Sequence, residues 1–133
     1  MTQMTMNKQA LKGVPLKRPK ICFDWEGTLS THPLLYQMAI DLQFGGWDVM
    51  ILSAMPENIK GQREKEIEDH MAKELPNARL PYKVVYHSLE NYHNSAAMAK
   101  AKYMKDNDIK LLVDDIFEVA YVVRQQGLTV LKV

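Results

Sequence analysis

The amino-acid sequence predicts a three-layer α/β fold, in which a parallel sheet of about five strands is covered by helices on both faces. Short apolar runs alternate with longer segments in which apolar residues recur at helical spacing. The apolar runs are continuous, as in strands that are buried on both faces of a parallel sheet. The length of 133 residues suits one domain of this kind and not two.

Strands and helices alternate over residues 20–133, and a strand stands at each end of this region. The predicted strands are Lys20–Asp24, Val49–Leu52, Tyr82–Tyr86, Lys110–Val113 and Leu128–Leu131. Because crossovers between parallel strands are right-handed, every strand has its carboxyl end at the same edge of the sheet. Ligands bind at that edge in open α/β sheets, so the residues that end the strands are the first candidates for a site.

The first half of the chain contains two predicted helices. The helix Pro33–Phe44 has apolar residues every three or four positions, and Gly45 and Gly46 end it. The helix Pro56–Leu75 starts at a proline and is rich in Glu, Lys and Gln, which indicates a solvated outer face. Its amino end comes closely after Ser53, where its N–H groups would favour an anion.

The second half also contains two predicted helices. A loop is predicted between Pro76 and Pro81, ahead of the third strand. The helix Ser95–Lys105 is built largely from Ala, Met and Lys, and the helix Ile116–Gln126 ends at Gly127.

The net charge of +1 is unevenly distributed along the chain. Residues 1–20 hold five of the 17 Lys and Arg and no acid, whereas the other 113 residues carry 12 basic and 16 acidic side chains. The body therefore lacks the strongly basic face that is typical of nucleic-acid-binding domains. Residues 1–19 are polar and contain Gly13, Pro15 and Pro19, which predicts a flexible basic arm ahead of a domain over residues 20–133.

Two classes of protein are excluded by composition. No stretch approaches the roughly 20 apolar residues that a membrane-spanning helix needs. A disulfide scaffold is excluded because Cys22 is the only cysteine. We therefore expect a reduced, cytoplasmic protein in which Cys22 is a core thiol.

Polar residues that suit phosphate chemistry collect at the ends of the predicted strands. They are Asp24, Ser53, which precedes Ala54, and the pair Asp114 and Asp115, together with Lys100 on the helix before the fourth strand. Grouped carboxylates repel one another unless a cation lies among them, and hard oxygen ligands suit Mg²⁺. A lysine and a hydroxyl nearby would bind the remaining oxygens of a phosphate, and a carboxylate can attack phosphorus to form an aspartyl-phosphate.

Three segments resemble the motifs of the haloacid dehalogenase-like (HAD) superfamily. CFDWEGTLS resembles the first motif, an apolar strand followed by DxDGT, and ILSA resembles the second motif. KAKYMKDNDIKLLVDD resembles the third and fourth motifs, a lysine on a helix and then a strand that ends in an acidic pair. The resemblance covers Lys20–Val133 and implies a Rossmann-like domain of the Mg²⁺-dependent phosphatase type.

The resemblance also implies the catalytic and metal-binding residues. Asp24 would be the nucleophile and a metal ligand, and Lys100 would neutralise the charge of the nucleophile and of the phosphate. The Glu26 carbonyl would bind Mg²⁺, while the Glu26 carboxylate would transfer protons. Asp114 and Asp115 would complete the metal site, and the motif leaves open which of them binds the ion directly.

The same resemblance implies the substrate-binding residues. The Ser53 hydroxyl and the Ala54 backbone N–H would hold a phosphate oxygen. Thr28 would form a hydrogen bond beside the first carboxylate, and Gly27 would allow the tight turn after the first strand.

The chain departs from the family pattern at Glu26, where phosphatases of this family usually have Asp. Glu keeps a carboxylic acid of ordinarily similar strength, but its side chain is longer by one methylene. Proton transfer needs heavy atoms about 3 Å apart, so the departure bears on turnover more than on the binding of phosphate or Mg²⁺.

The sequence has no room for the cap domain that many relatives carry. One helix fits between Glu26 and Ser53, and only 13 residues lie between Tyr86 and Lys100. Relatives without a cap often act on bulky substrates such as polynucleotide ends, or use a neighbouring subunit as the cover. A nucleic-acid end, a small phosphorylated molecule and a homo-oligomer that covers the open site are therefore the expected partners, and no membrane is expected.

Several residues have a second interpretation. Lys102 and Lys105 compete with Lys100, which we favour because it stands 14 residues before Asp114, as in the family. Asp114 and Asp115 can also cap the helix after them. Two expectations concern aromatic residues: Trp25 either stacks on a substrate or covers the edge of the core, and a substrate wall can form from Tyr86, His87, Tyr92 and His93.

Three functions compete at this point. The favoured one is a Mg²⁺-dependent phosphomonoesterase that acts on a nucleotide or a nucleic-acid end through an aspartyl-phosphate. The alternative, favoured by Glu26, is a binding module that holds a phosphorylated metabolite or nucleotide without hydrolysis. The third is a structural partner that uses only the scaffold. A response-regulator receiver is set aside because its acidic pair ends the first strand, whereas here the pair ends the fourth.

Overall fold

One five-stranded parallel sheet organises the chain. The computed structural model describes residues 17–74 and 78–133. The strands are β1 Lys20–Phe23, β2 Asp48–Pro56, β3 Tyr82–His87, β4 Leu111–Asp114 and β5 Thr129–Lys132, in the order β3-β2-β1-β4-β5. The helices are α1 Pro33–Phe44, α2 Gln62–Glu74, α3 Tyr92–Asp106 and α4 Phe117–Gln125. The predicted α/β class and the number of strands are confirmed.

The sheet separates two apolar cores, because successive residues of a strand point to opposite faces. In β1, Ile21 and Phe23 pack with α1 and α2, whereas Cys22 packs with α3 and α4. Strand β4 alternates in the same way, with Leu112 on the side of α3 and Val113 on the side of α1. Cys22 is fully buried, as predicted, and burial raises the pKa of its thiol to about 12.

Strand β2 is longer than predicted, so the chain is still an extended strand after Ser53. Its pairing with β3 continues to Pro56, which lies opposite His87. A short 3₁₀ turn and Gly61, whose φ is +89°, come before α2 begins at Gln62. The prediction that this helix begins at Pro56, with its N–H groups close to Ser53, was therefore wrong, because β3 offers hydrogen-bond partners that keep the chain extended to Pro56.

The start of α3 also differs from the prediction. Helix α3 begins at Tyr92, three residues before the predicted start, after Asn91 in a left-handed conformation with φ of 48°. Most of the predicted basic arm, residues 1–16, lies outside the described residues, and so does Pro76. Residues 17–19 lie against the body, where Arg18 Nε donates to the Gly46 carbonyl at 2.9 Å.

The connections around the carboxyl edge are short. Besides the turn after β1, only α1 lies between β1 and β2, and residues 88–91 link β3 to α3. The prediction of a fold without a cap is confirmed for these two connections. In the two described ranges, no helix combines the length and the apolar character needed to cross a membrane.

Candidate active site

The register of the sheet brings Asp24 and Asp114 together. Phe23 of β1 lies opposite Val113 of β4, and each of these residues precedes one of the two acids. The Asp24 N–H donates to the Val113 carbonyl at 2.8 Å, which extends the strand ladder by one residue. Alternation along both strands turns the two carboxylates toward the face that α3 and α4 cover.

Lys100 reaches from α3 to both carboxylates. Its Nζ donates to Asp24 Oδ1 and to Asp114 Oδ2, each at 2.7 Å. All three side chains are buried. The alternatives Lys102 and Lys105 point elsewhere: Lys102 pairs with Asp106 on the exposed side of α3. The structure therefore selects Lys100 as the lysine at the carboxyl edge.

The pKa values of Asp24, Asp114 and Lys100 are all raised. Burial raises the pKa of Asp24 and of Asp114, and the charge of Lys100 only partly offsets it. Burial also disfavours the charged form of Lys100, but the two carboxylates outweigh it and raise the lysine pKa. The ammonium is thus firmly charged, while each carboxylate holds a proton more readily than an exposed one does.

A tight turn over Trp25–Leu29 carries the next part of the site. Gly27 has a φ of 75°, and a Cβ at this position would overlap the carboxylate of Asp115. The Thr28 hydroxyl lies 3.3 Å from Asp24 Oδ2 and 3.2 Å from Asp115 Oδ1, and it donates to one of them at a time. Glycine is therefore needed for both its conformation and its lack of a side chain, and the turn ties Asp24 to Asp115.

The three carboxylates can hold a metal ion. One oxygen from each of Asp24, Asp114 and Asp115 lies within 4.8 Å of the others. Within the described residues, Lys100 is the cation that contacts this cluster, and the three acids outnumber it. Carboxylate oxygens are the ligands that hard divalent cations prefer. Asp114 Oδ1 also accepts from the Ile116 N–H at 3.0 Å. Ile116 is itself the N-cap residue of α4, so neither aspartate caps that helix, and the predicted capping role was wrong.

Ser53 and Ala54, the two residues predicted to bind phosphate, point to opposite faces of the sheet. Ala54 lines the cleft together with Asp24 and Lys100. Ser53 is the preceding residue of β2 and turns to the other face, where its hydroxyl accepts from Arg63 Nη1 at 3.0 Å. The structure thus brings Ala54, but not the Ser53 side chain, to the cleft.

Arg63, which the sequence motifs did not single out, is buried at the start of α2. Its Nη1 donates to Ser53 and its Nη2 to Glu26 Oε2, the latter at 2.8 Å. Its Nε lies 3.0 Å from Glu66 Oε2 without forming a hydrogen bond. The sequence feature that could have pointed to Arg63 is its position in the first turn of α2, just before a run that is mostly Glu and Lys.

Glu26 lies at the mouth of the site. Its side chain is 79% exposed, and its carboxylate is held by Arg63 rather than by the metal-binding cluster. Its backbone has a φ of −68° and a ψ of 127°, which is an extended conformation within the turn. The predicted metal contact of Glu26 involves its carbonyl, and the predicted proton transfer involves its carboxylate, so the two roles use separate atoms.

An open cleft of about 280 Å³ joins these residues. Arg63 and Glu26 line it, as do Tyr92 and His93 at the start of α3. Of the four residues expected to form a substrate wall, Tyr86 and His87 do not line the cleft. The Tyr86 hydroxyl donates to Glu64, and His87 is buried behind Tyr92.

Trp25 belongs to the core. It is buried and meets the ring of His70 edge-on, with centroids 5.0 Å apart. Of its two predicted roles, the structure supports the one in which it covers the edge of the core.

Comparison with known proteins establishes the fold but no family. No protein-family model matches the sequence, and no curated protein matches it. A chain in the solved structure of a Pnkp1/Rnl/Hen1 complex has a similar fold, with a TM-score of 0.64 and 17% sequence identity. The match covers 90% of this chain and 47% of that chain. At this identity the likeness concerns the fold alone, and the chain spans less than half the length of that relative.

Removal of the buried ammonium should destabilise the protein strongly. We expect Lys100→Met to lower the free energy of unfolding by about 3–5 kcal/mol, because it leaves buried carboxylates without their cation. Lys102→Met is the matched control on the same helix, and its exposed ion pair should contribute less than about 1 kcal/mol. Urea denaturation measures both, and equal losses would contradict a buried role specific to Lys100.

The raised pKa of Asp24 predicts a pH trend in the absence of metal. A carboxyl whose pKa is raised by folding favours the folded state at acidic pH, and this contribution is lost as the pH rises through the folded pKa. The stability of Asp24→Asn relative to the wild type should therefore increase from about pH 4 to pH 7. Urea denaturation in a chelator measures the trend, with Asp106→Asn as an exposed control; a decrease over this range would contradict it.

Proposed function

We propose that this chain is a Mg²⁺-dependent phosphomonoesterase of the HAD-like type without a cap, which acts through an aspartyl-phosphate on Asp24. One observation carries the proposal: buried Lys100 bridges two carboxylates from neighbouring strands, and a third carboxylate lies within 4.8 Å. Buried charges of this kind are costly for stability, and they cluster at functional sites. The order of the four motifs along the chain supports the same proposal.

In the first step, an Asp24 oxygen attacks phosphorus, so that a bond from Asp24 to phosphorus forms as the bond to the leaving oxygen breaks. The charge of Lys100 favours the ionised form of Asp24, against the effect of burial, and stabilises the negative charge that gathers on the phosphoryl oxygens. Mg²⁺, held by Asp24, the Glu26 carbonyl and Asp114 or Asp115, would neutralise phosphate charge when bound. Glu26 donates its carboxylic proton to the leaving oxygen.

In the second step, the Glu26 carboxylate accepts a proton from water, and the water oxygen attacks phosphorus. The bond between Asp24 and phosphorus breaks, inorganic phosphate leaves, and Asp24 returns as a carboxylate. Glu26 then holds the proton that the next leaving group needs. We assign the binding of a phosphoryl oxygen on β2 to the Ala54 backbone N–H, since Ala54 lines the cleft.

The open cleft suits a phosphate carried on a larger molecule. We place the substrate among nucleotides and nucleic-acid ends, because capless relatives often act on bulky substrates. The likeness to a chain of the Pnkp1/Rnl/Hen1 complex is compatible with this substrate class. A second copy of the chain that covers the cleft belongs to the same proposal, since exclusion of water would strengthen the electrostatics of the site.

A binding module is the second candidate, and the contact of Glu26 favours it. The carboxylate that should transfer protons is held by Arg63 at 2.8 Å and is largely exposed. In a binding module, phosphate and Mg²⁺ would bind without hydrolysis. Calorimetry that detects Mg²⁺-dependent nucleotide binding, together with no phosphate release over hours, would select this function.

Phosphate release from an aryl phosphate in the presence of Mg²⁺ tests the enzyme directly. We expect the wild type to release phosphate, a chelator to abolish release, and Asp24→Asn to lower kcat by at least about 10³-fold, because the nucleophile is lost. Asp69→Asn, on the exposed side of α2, is the matched control and should retain full activity. Activity that persists in Asp24→Asn would exclude the aspartyl-phosphate mechanism.

The contact between Arg63 and Glu26 predicts a dependence on the leaving group. If Arg63 holds Glu26 for proton transfer, Glu26→Gln and Arg63→Gln should each slow release of an alkoxide by about 10²–10⁴-fold. Both should spare the initial burst from 4-nitrophenyl phosphate, whose leaving group needs no proton, and the double variant should be no slower than either single variant.

Two control variants test whether the effect of Arg63→Gln comes from the loss of its contact with Glu26 rather than from misfolding or weaker phosphate binding. Arg79→Gln removes an exposed arginine that pairs with Glu68, and it should leave both reactions unchanged. Arg63→Lys tests whether charge alone suffices at this position. Equal losses in alkoxide release and in the initial 4-nitrophenyl phosphate burst in Arg63→Gln would show that Arg63 does not act through Glu26.

A further inference from the structure

We propose that Tyr92 and His93 form a nucleobase subsite at the mouth of the cleft, so that the phosphate in the site is that of a nucleotide. The inference rests on the proposed function for the position of the phosphate, and it adds the group that the protein recognises beside it. Its ligand class is a nucleobase that carries a phosphomonoester on its sugar, either as a free nucleotide or as the end of a strand.

The position of the two rings is set by the start of α3. Tyr92 is the first residue of that helix, and Lys100 lies eight residues later on the same helix. Eight residues of helix span about 12 Å, which is on the scale of a nucleoside monophosphate rather than of inorganic phosphate. Because Tyr92, His93, Lys100 and Asp24 all line one cleft, a ligand with its phosphate at Asp24 extends toward the rings.

The Tyr92 ring is held in place without being covered. His87 and His93 both meet it edge-on, with ring centroids 4.9 Å and 5.5 Å away. His87 is itself buried and fixed, since its Nδ1 donates to the Ser88 carbonyl at 2.8 Å. Tyr92 nevertheless remains 43% exposed. A ring that is fixed in advance and accessible loses little freedom when a planar group stacks on it.

The other side of the cleft is polar. Arg63 belongs to α2 and packs on the opposite face of the sheet from α3, yet it lines the same cleft as Tyr92. Arg63 is itself buried and holds the exposed carboxylate of Glu26 there, and a carboxylate accepts hydrogen bonds from the hydroxyls of a sugar. An aromatic wall facing a polar wall fits a nucleotide better than it fits a purely aliphatic phosphate ester.

The preference of the protein for a nucleotide over glycerol phosphate tests the subsite. We expect the wild type to have a higher kcat/KM for a nucleoside 5′-monophosphate, and Tyr92→Ala to lower that value by about 5- to 150-fold. Glycerol phosphate turnover should be unchanged in Tyr92→Ala, and Tyr92→Phe should retain the nucleotide preference. Tyr121→Ala, an exposed tyrosine on α4, is the matched control.

The outcomes separate this inference from the proposed activity. If no phosphate is released, calorimetric titration of the same two compounds with Mg²⁺ into wild type and Tyr92→Ala gives the preference directly. A nucleotide preference in binding that depends on Tyr92 would then support the subsite while the activity fails. No preference in the wild type, no binding of either compound, or an equal loss of both compounds in Tyr92→Ala would overturn the subsite.

A further experiment distinguishes a free nucleotide from the end of a nucleic-acid strand as the ligand. An oligonucleotide with a terminal phosphate is compared with the mononucleotide in the wild type and in Tyr92→Ala. A higher kcat/KM for the oligonucleotide assigns the subsite to a strand end, and a higher value for the mononucleotide assigns it to free nucleotides. Either result supports the subsite only if Tyr92→Ala reduces it.

Discussion

The buried ammonium of Lys100 between Asp24 and Asp114 is the interaction on which the rest of the site depends. Two carboxylates end neighbouring parallel strands, whose axes lie about 4.8 Å apart, and without a cation they would repel each other. Lys100 can reach both because alternation turns both acids toward α3. The turn at Gly27 then adds Asp115 and leaves the cluster with more negative charge than one lysine balances. The fold thus assembles a cluster of three acids that could hold a metal ion.

The sequence predicts the fold because its signals are local. Continuous apolar runs identify the strands, and the end of α1 at Gly45 is explained by ordinary capping chemistry. The parallel order also explains why Asp24 and Asp114 meet, although they are 90 residues apart. The length of β2 could not be predicted, because its last residues have no apolar periodicity of their own and stay extended only through pairing with β3.

The sequence predicts the central part of the site and misses its periphery. Asp24 and Asp114 were found because the carboxyl ends of parallel strands meet at one edge of the sheet. Lys100 was chosen over Lys102 and Lys105 only through the spacing that resembles the HAD motifs. Arg63 was missed because its contacts depend on where α2 begins, and that depends on the unexpected length of β2. Ser53 was also misplaced, because it lies within β2, where successive side chains point to opposite faces of the sheet. Glu26 and Arg63 therefore have to be understood as a pair, in which the longer acid has a cationic partner.

A crystal structure of the protein with Mg²⁺ and beryllium trifluoride tests the central claim most directly. We expect beryllium bonded to an Asp24 oxygen and Mg²⁺ about 2.1 Å from oxygens of Asp24 and of Asp114 or Asp115, in octahedral coordination. Lys100 should contact the fluorides. An ion bound away from the three acids, or beryllium trifluoride that leaves Asp24 unmodified while Mg²⁺ is present, would contradict this account of the site.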